Sequence, residues 1–187
     1  AVERRLAARA GLEPAQVLVT GGGDEAIDRC CRLMLAPGRR GLVHVPTFEM
    51  IERSAELAGA AAARVPWTDG PFPAGAMLEA AAAAEAAGEP VRLVALVTPN
   101  NPTGLAVPVA DVRRIAGALP RALILVDAAY VEFDDPSLPA AVLGPPNVVV
   151  VRTFSKAWGL AGLRCGWVAG PAEVVAGLRA AGGPYSV

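Results

Sequence analysis

Residues 91–104 read V-R-L-V-A-L-V-T-P-N-N-P-T-G: a strongly apolar run, then two prolines and a glycine. A short run this rich in Val and Leu predicts a strand buried on both faces. The switch to Pro99, Pro102 and Gly104 predicts a rigid turn at its exit. Working outward, comparable runs recur at 17–20 (VLVT), 42–45 (LVHV), 122–126 (ALILV), 147–152 (NVVVVR) and 164–169 (RCGWVA). Stretches with helical spacing lie between them, at 24–36, 48–58, 74–87, 109–118 and 171–181. Residues 1–10 (AVERRLAARA) read as the tail of a helix already under way, and 134–146 (DDPSLPAAVLGPP) as a loop. Gly11, Pro37-Gly38, Gly88 and Pro171 punctuate the helix ends. Strands alternating with helices predict an α/β fold, a mainly parallel, doubly wound sheet covered on both faces.

At 187 residues the chain has room for one domain with a real core. With 17 basic and 18 acidic side chains it carries no net field to draw in nucleic acid or anionic lipid, so neither partner is expected and any anion must be caught locally. Cys30 and Cys31 are adjacent and Cys165 is distant, with neither metal-ligand nor redox spacing, so no metal is expected and a reducing, cytoplasmic setting fits best. No apolar run approaches the roughly 20 residues that span a bilayer. The helix-like opening at Ala1 suggests a piece of a longer protein. The low-complexity run 79–87 (EAAAAAEAA) reads as a solvent-facing helix.

In an open α/β sheet the ligand sits at the carboxyl ends of the strands, and four such ends carry unusual residues. Thr20-Gly21-Gly22-Gly23-Asp24-Glu25-Ala26 is a glycine-rich turn into a helix, with free N–H groups suited to a phosphate. It also satisfies G-x-G-x-x-A, but a dinucleotide site expects an acid at the end of the next strand, where Val43-His44-Val45-Pro46 stands. Thr98 to Gly104 holds the Asn101 amide on a rigid turn. Leu125-Val126-Asp127-Ala128-Ala129-Tyr130 delivers a carboxylate and then a phenol; a buried charge needs a partner, and a metal or a helix cap is the alternative. Arg152 to Gly166 (RTFSKAWGLAGLRCG) crowds hydroxyls, Lys156 and Arg164 onto one loop. Lys156 alone would read as a surface lysine. His44 reads as a buried, satisfied histidine, and Trp67, Trp158 and Trp167 as packing groups.

Taken in order, these four segments make the chain resemble the fold-type I enzymes dependent on pyridoxal 5'-phosphate (PLP), and most closely the histidinol-phosphate aminotransferase branch. The resemblance runs from G-G-D-E-A-I to R-T-F-S-K-A-W-G-L-A-G-L-R-C-G. It implies that residues 1–187 are the PLP-binding large domain, with an N-terminal segment and a C-terminal small domain of the family outside them. It implies Lys156 as the amine that captures the cofactor aldehyde and then carries a proton as a base, helped by partial burial and nearby positive charge. Asp127 would pair with the pyridine nitrogen, Asn101 and Tyr130 would bond the ring's phenolic oxygen, and Phe48 would lie over the ring face. The phosphate would rest on main-chain N–H groups of Gly23, Asp24 and Glu25, with Ser155, Thr153 and Arg164 completing the cradle. The side chains of Asp24 and Glu25 would serve only the helix start. Ala128 departs from the commoner D-E-A-Y, with little effect expected.

The function implied is exchange of histidinol phosphate and 2-oxoglutarate to imidazole-acetol phosphate and L-glutamate, by a homodimer acting on small amino and keto acids. Two alternatives stay open: a decarboxylase or lyase of the same fold, resembling threonine-phosphate decarboxylase, and a non-catalytic PLP-binding regulatory domain.

Overall fold

The computed structural model describes residues 2–183; of the predicted helix at 1–10, only the first residue falls outside that range. Seven strands form one sheet in the order β1-β7-β6-β5-β4-β2-β3. They are β1 (Val17–Thr20), β2 (Arg40–Val45), β3 (Ala61–Pro66), β4 (Val91–Val97), β5 (Leu123–Asp127), β6 (Val148–Thr153) and β7 (Gly166–Ala169). β7 is antiparallel to both its neighbours, so the other six share one direction. The mainly parallel sheet expected from the sequence is therefore present.

Successive side chains in a strand point to opposite faces, and here both faces are apolar. Leu93, Ala95, Leu123, Leu125, Val149 and Val151 pack beneath α2 (Gly23–Met34), α3 (Met50–Leu57) and α7 (Ala172–Ala180) through Ile27, Cys30, Ile51 and Leu178. Val94, Leu96, Ile124, Val126, Val148 and Val150 meet α4 (Ala74–Ala86), α5 (Val109–Ala118) and the short α6 (Leu138–Val142) through Met77, Ile115 and Val142. Burying one such Leu or Ile fully contributes about 1.5–3 kcal/mol, so the central strands anchor the ends that carry the site. The remaining helix, α1 (Val2–Ala10), covers the β1 edge with Ala7.

Three expectations are corrected. β3 was not foreseen, because A-A-A-R-V-P has few strand-forming side chains and ends in Pro66; such a strand is tolerated at the sheet edge, where β3 pairs with β2 alone. The stretch read as a loop at 134–146 contains α6. α4 is not simply solvent-facing: Ala74, Met77, Ala81 and Ala84 line its buried side, a face that alanines on every side conceal from a periodicity reading.

Candidate active site

The parallel strands β1, β4, β5 and β6 end around one pocket of about 140 Å³. Of the residues named from the sequence, Gly23, Asp24, Phe48, Asn101, Asp127 and Tyr130 line it, as do Thr153, Ser155, Lys156 and Arg164. Glu25 alone does not. Ile27, Val97 and Ala129 complete the lining, and as apolar side chains they carry no sequence signal of a site.

At one end the glycine turn is shaped by contacts on all sides. Gly22 has φ +97°, and a Cβ there would lie 2.7 Å from Arg164 Nη2. Gly166, paired in β7 with both Thr20 and Thr153, supports the turn from below; a Cβ on it would lie 2.5 Å from the Gly22 carbonyl carbon. Only glycine leaves room for the main chain to approach this closely. The turn opens directly into α2, whose first N–H groups lack partners within the helix.

Glu25 braces the turn from outside. One carboxylate oxygen accepts the Gly21 N–H and the other takes the buried Arg29 guanidinium at 2.5 Å, while Arg29 also donates to Leu178 O at 3.3 Å. Burial pushes the Glu25 carboxyl up, but the Gly21 N–H and Arg29 outweigh it, and the group ionises below its ordinary range. The expectation that Glu25 serves the helix start is thus refined: its side chain ties the turn to α2 and α7.

Arg164 stands at φ +44°, a left-handed conformation uncommon for a side chain of this size. Its Nη2 donates to Asp24 at 3.1 Å and its Nη1 lies 3.5 Å from Ser155 Oγ. Asp24 therefore faces the arginine, not the helix start alone. Thr153 Oγ1 accepts the Ser155 N–H at 3.1 Å and shapes the start of the lysine loop.

Across the pocket, Asp127 is 5% exposed and accepts one backbone N–H, from Ala129 at 3.1 Å. Burial pushes its carboxyl up to about 6; the Ala129 N–H and the Lys156 charge oppose this, and Asp24 adds to it. Lys156 is exposed, not part-buried as expected, and its Nζ lies 5.3 Å from the centre of the Tyr130 ring.

The turn after β4 hides a division of labour. Asn100 is buried, accepts from Thr47 Oγ1 at 3.0 Å, and donates to Pro46 O at 3.0 Å and Thr103 Oγ1 at 2.8 Å. It pins the Phe48 loop to this turn and leaves Asn101 to face the pocket. His44 is fully buried as expected, against Trp67 and Phe72, but only half satisfied: Nε2 accepts the Val97 N–H at 3.1 Å, whereas Nδ1 has no partner among the described residues. Trp158 departs from the packing role, being 47% exposed. The buried Cys30 and Cys31 thiols are pushed up by burial, Cys31 to about 12, and are inert.

Such an arrangement offers an anion cradle, a buried acid able to hold a cationic ring nitrogen, and a primary amine on the same pocket. The family described as aminotransferase class I and II matches residues 1–187. A histidinol-phosphate aminotransferase from Stenotrophomonas maltophilia is 40% identical over all of this chain and 52% of its own length. One from Cronobacter sakazakii is 38% identical over 98% of the chain and 50% of its own length. Among solved structures, a putative histidinol-phosphate aminotransferase from Erwinia carotovora atroseptica superposes with a TM-score of 0.84 at 28% identity, covering 97% of this chain and 53% of that one. The Sinorhizobium meliloti histidinol-phosphate aminotransferase, solved with pyridoxal-5'-phosphate, gives 0.82 at 28% identity over 96% and 48%. The chain thus spans about half the length of the curated relatives it matches.

Proposed function

Since the chain belongs to the class I and II aminotransferase family, we propose that this pocket holds pyridoxal 5'-phosphate and that the protein transfers an amino group, taking histidinol phosphate and 2-oxoglutarate to imidazole-acetol phosphate and L-glutamate. The observation that carries the reading is the placement of Lys156 and Asp127 on one pocket, with the glycine turn and Arg164 at its end. A buried carboxylate met by a single backbone donor fits a cationic ring nitrogen, and a turn with φ +97° at Gly22 that opens straight into α2 fits a phosphate laid on the free main-chain N–H groups of that helix start.

When bound, the cofactor supplies an electron-accepting ring for the pair left as a proton leaves the substrate's α-carbon. The chain's own residues would do the rest. Asp127 keeps the ring nitrogen protonated, and the cation in turn favours the Asp127 carboxylate, reversing the effect of burial. Asn101 and Tyr130 hold the phenolic oxygen, and Phe48 with Ile27 restricts the ring plane. Lys156 would hold the cofactor through its amine and, when that amine is free, would carry the proton at the substrate's α-carbon. The Gly23 and Asp24 main-chain N–H groups, Ser155, Thr153 and Arg164 would hold the phosphate, with Glu25 bracing the turn from outside the pocket.

The relatives' names support transamination and the histidinol-phosphate substrate. A homodimer working in the cytoplasm, with residues 1–187 as its large domain, accompanies this reading. Among the described residues, no helix is long and apolar enough to cross a membrane. Incubation with PLP, borohydride reduction and peptide mapping should label Lys156; label elsewhere, or none on the full natural polypeptide, overturns the assignment. Product analysis with histidinol phosphate and 2-oxoglutarate should give imidazole-acetol phosphate and L-glutamate; no glutamate from that pair, with carbon dioxide released from a carboxylated amino acid such as threonine phosphate, would replace transfer by decarboxylation.

A further inference from the structure

Glu132 lies two residues beyond Tyr130, in a short 3-10 turn at Val131–Phe133, and Trp158 lies two residues beyond Lys156. A single oxygen, Glu132 Oε1, accepts from Trp158 Nε1 at 2.8 Å and from Arg152 Nη2 at 2.5 Å. Arg152 sits in β6 one residue before Thr153, its guanidinium 5.7 Å from the centre of the Trp167 ring. The Glu132 and Arg152 side chains are only 16% and 15% exposed, so water screens this pair less than a surface pair. None of Glu132, Arg152 and Trp158 lines the candidate pocket.

The backbone bonds of the lysine loop close on the loop itself or its base: Gly159 N–H to Lys156 O, Leu160 N–H to Phe154 O, and Phe154 N–H to Cys165 O. These bonds fix its shape, and the Ala128 N–H to Val151 O bond of 3.0 Å sets the root of its strand beside the start of the Tyr130 turn. Beyond those roots the indole–carboxylate bond adds a side-chain tie between the two segments, and Arg152 anchors the carboxylate to the sheet. The pair also has a cost, since Glu132 Oε2 and Arg152 Nε are buried without partners among the described residues. An unmade buried hydrogen bond costs about 1–3 kcal/mol, so an ion pair here is a poor device for stability alone and a better one for geometry.

We propose that Glu132 is a positioning residue: through Trp158 and Arg152 it sets how the Tyr130 phenol and the Lys156 amine, which lies 5.3 Å from the centre of that ring, stand relative to one another in the pocket. The inference rests on the reading of that pocket as a PLP site, but its first test does not need the cofactor.

Glu132→Gln weakens the charge-assisted bonds while keeping the size of the side chain, and Trp158→Phe removes the indole N–H while keeping a ring. In the full natural polypeptide without cofactor, hydrogen exchange should rise about tenfold in 128–133 and 154–160 together in either variant. A rise confined to one segment, or no rise, overturns the proposal. With PLP bound, both variants should shift the pH midpoint of the cofactor's visible absorption and lower kcat roughly 10- to 100-fold, with KM changed less than about threefold. The double variant should be no worse than the worse single one. Additive losses, or a lowered Tm with kcat and the pH midpoint intact, also overturn it. Should the wild-type protein take up no PLP, the pocket reading fails, while the exchange experiment still decides the role of Glu132.

Discussion

Asp24 holds the Arg164 guanidinium at 3.1 Å, packed over Gly22 in the turn proposed to take the cofactor phosphate. An anion entering the glycine turn must share that arginine with a carboxylate already paired to it. The two side chains are about half exposed, and pairs of this kind contribute only about 0.2–1 kcal/mol. Asp24→Asn should therefore tighten PLP binding by up to roughly fivefold. Arg164→Ala should weaken it at least about tenfold, because a charged donor is lost outright. Absorbance titration measures both, and an asparagine variant that binds more weakly would show that Asp24 assists the anion.

Gly166 should tolerate no side chain. Gly166→Ala sets a Cβ 2.8 Å from the Gly22 carbonyl oxygen and the Gly23 nitrogen, both main-chain atoms held in place by the turn. Overpacking of this kind costs about 1–3 kcal/mol. Urea denaturation should show that loss, with PLP affinity falling in step as the turn is lifted. Unchanged stability would mean that the turn is free to move.

The adjacent asparagines should separate stability from binding. Asn100→Ala strands the Pro46 carbonyl and the Thr47 and Thr103 hydroxyls, and should cost about 2–4 kcal/mol of stability. Asn101→Ala should stay within about 0.5 kcal/mol in a thermal or urea melt while weakening PLP binding. A reversed pattern would exchange the two assignments.

Acid titration should expose two opposed groups. Asp127 is raised to about 6 by burial, so its contribution to stability is fully present below about pH 4 and lost as pH rises through 6. His44 is lowered to about 4 by burial, so its contribution is present above about 6.5 and lost as pH falls through 4. Each amounts to about 3 kcal/mol, and between pH 4 and 6.5 they nearly offset in the ligand-free protein. Asp127→Asn should then gain stability with rising pH across that window, and His44→Gln should lose it. Glu25 is common to both variants and drops out of the comparison. Parallel urea-stability curves for the two would contradict this account.

Much of this was legible in the sequence because strand and site coincide: the apolar runs end at Thr20, Val97, Asp127 and Thr153, and those ends meet at the pocket. What stayed hidden depends on contacts between distant segments. Asn100 and Asn101 are indistinguishable in the string P-N-N-P, and only the approach of Pro46 and Thr47 divides their work. Glu25 looks like a helix-start acid until Gly21 and Arg29 are seen on its two oxygens. Glu132 and Trp158 lie 26 residues apart, and nothing local announces their bond.

The reversal of β7 has its own outcome. Because β6 and β7 run in opposite directions, residues 154–165 form a hairpin tongue, clasped at its root by the Phe154 N–H to Cys165 O bond of 3.0 Å. A parallel successor would have required a crossover that carries the chain to the far rim of the sheet. Both cationic side chains of the pocket, Lys156 and Arg164, instead ride on one excursion that leaves and rejoins the sheet at the same rim.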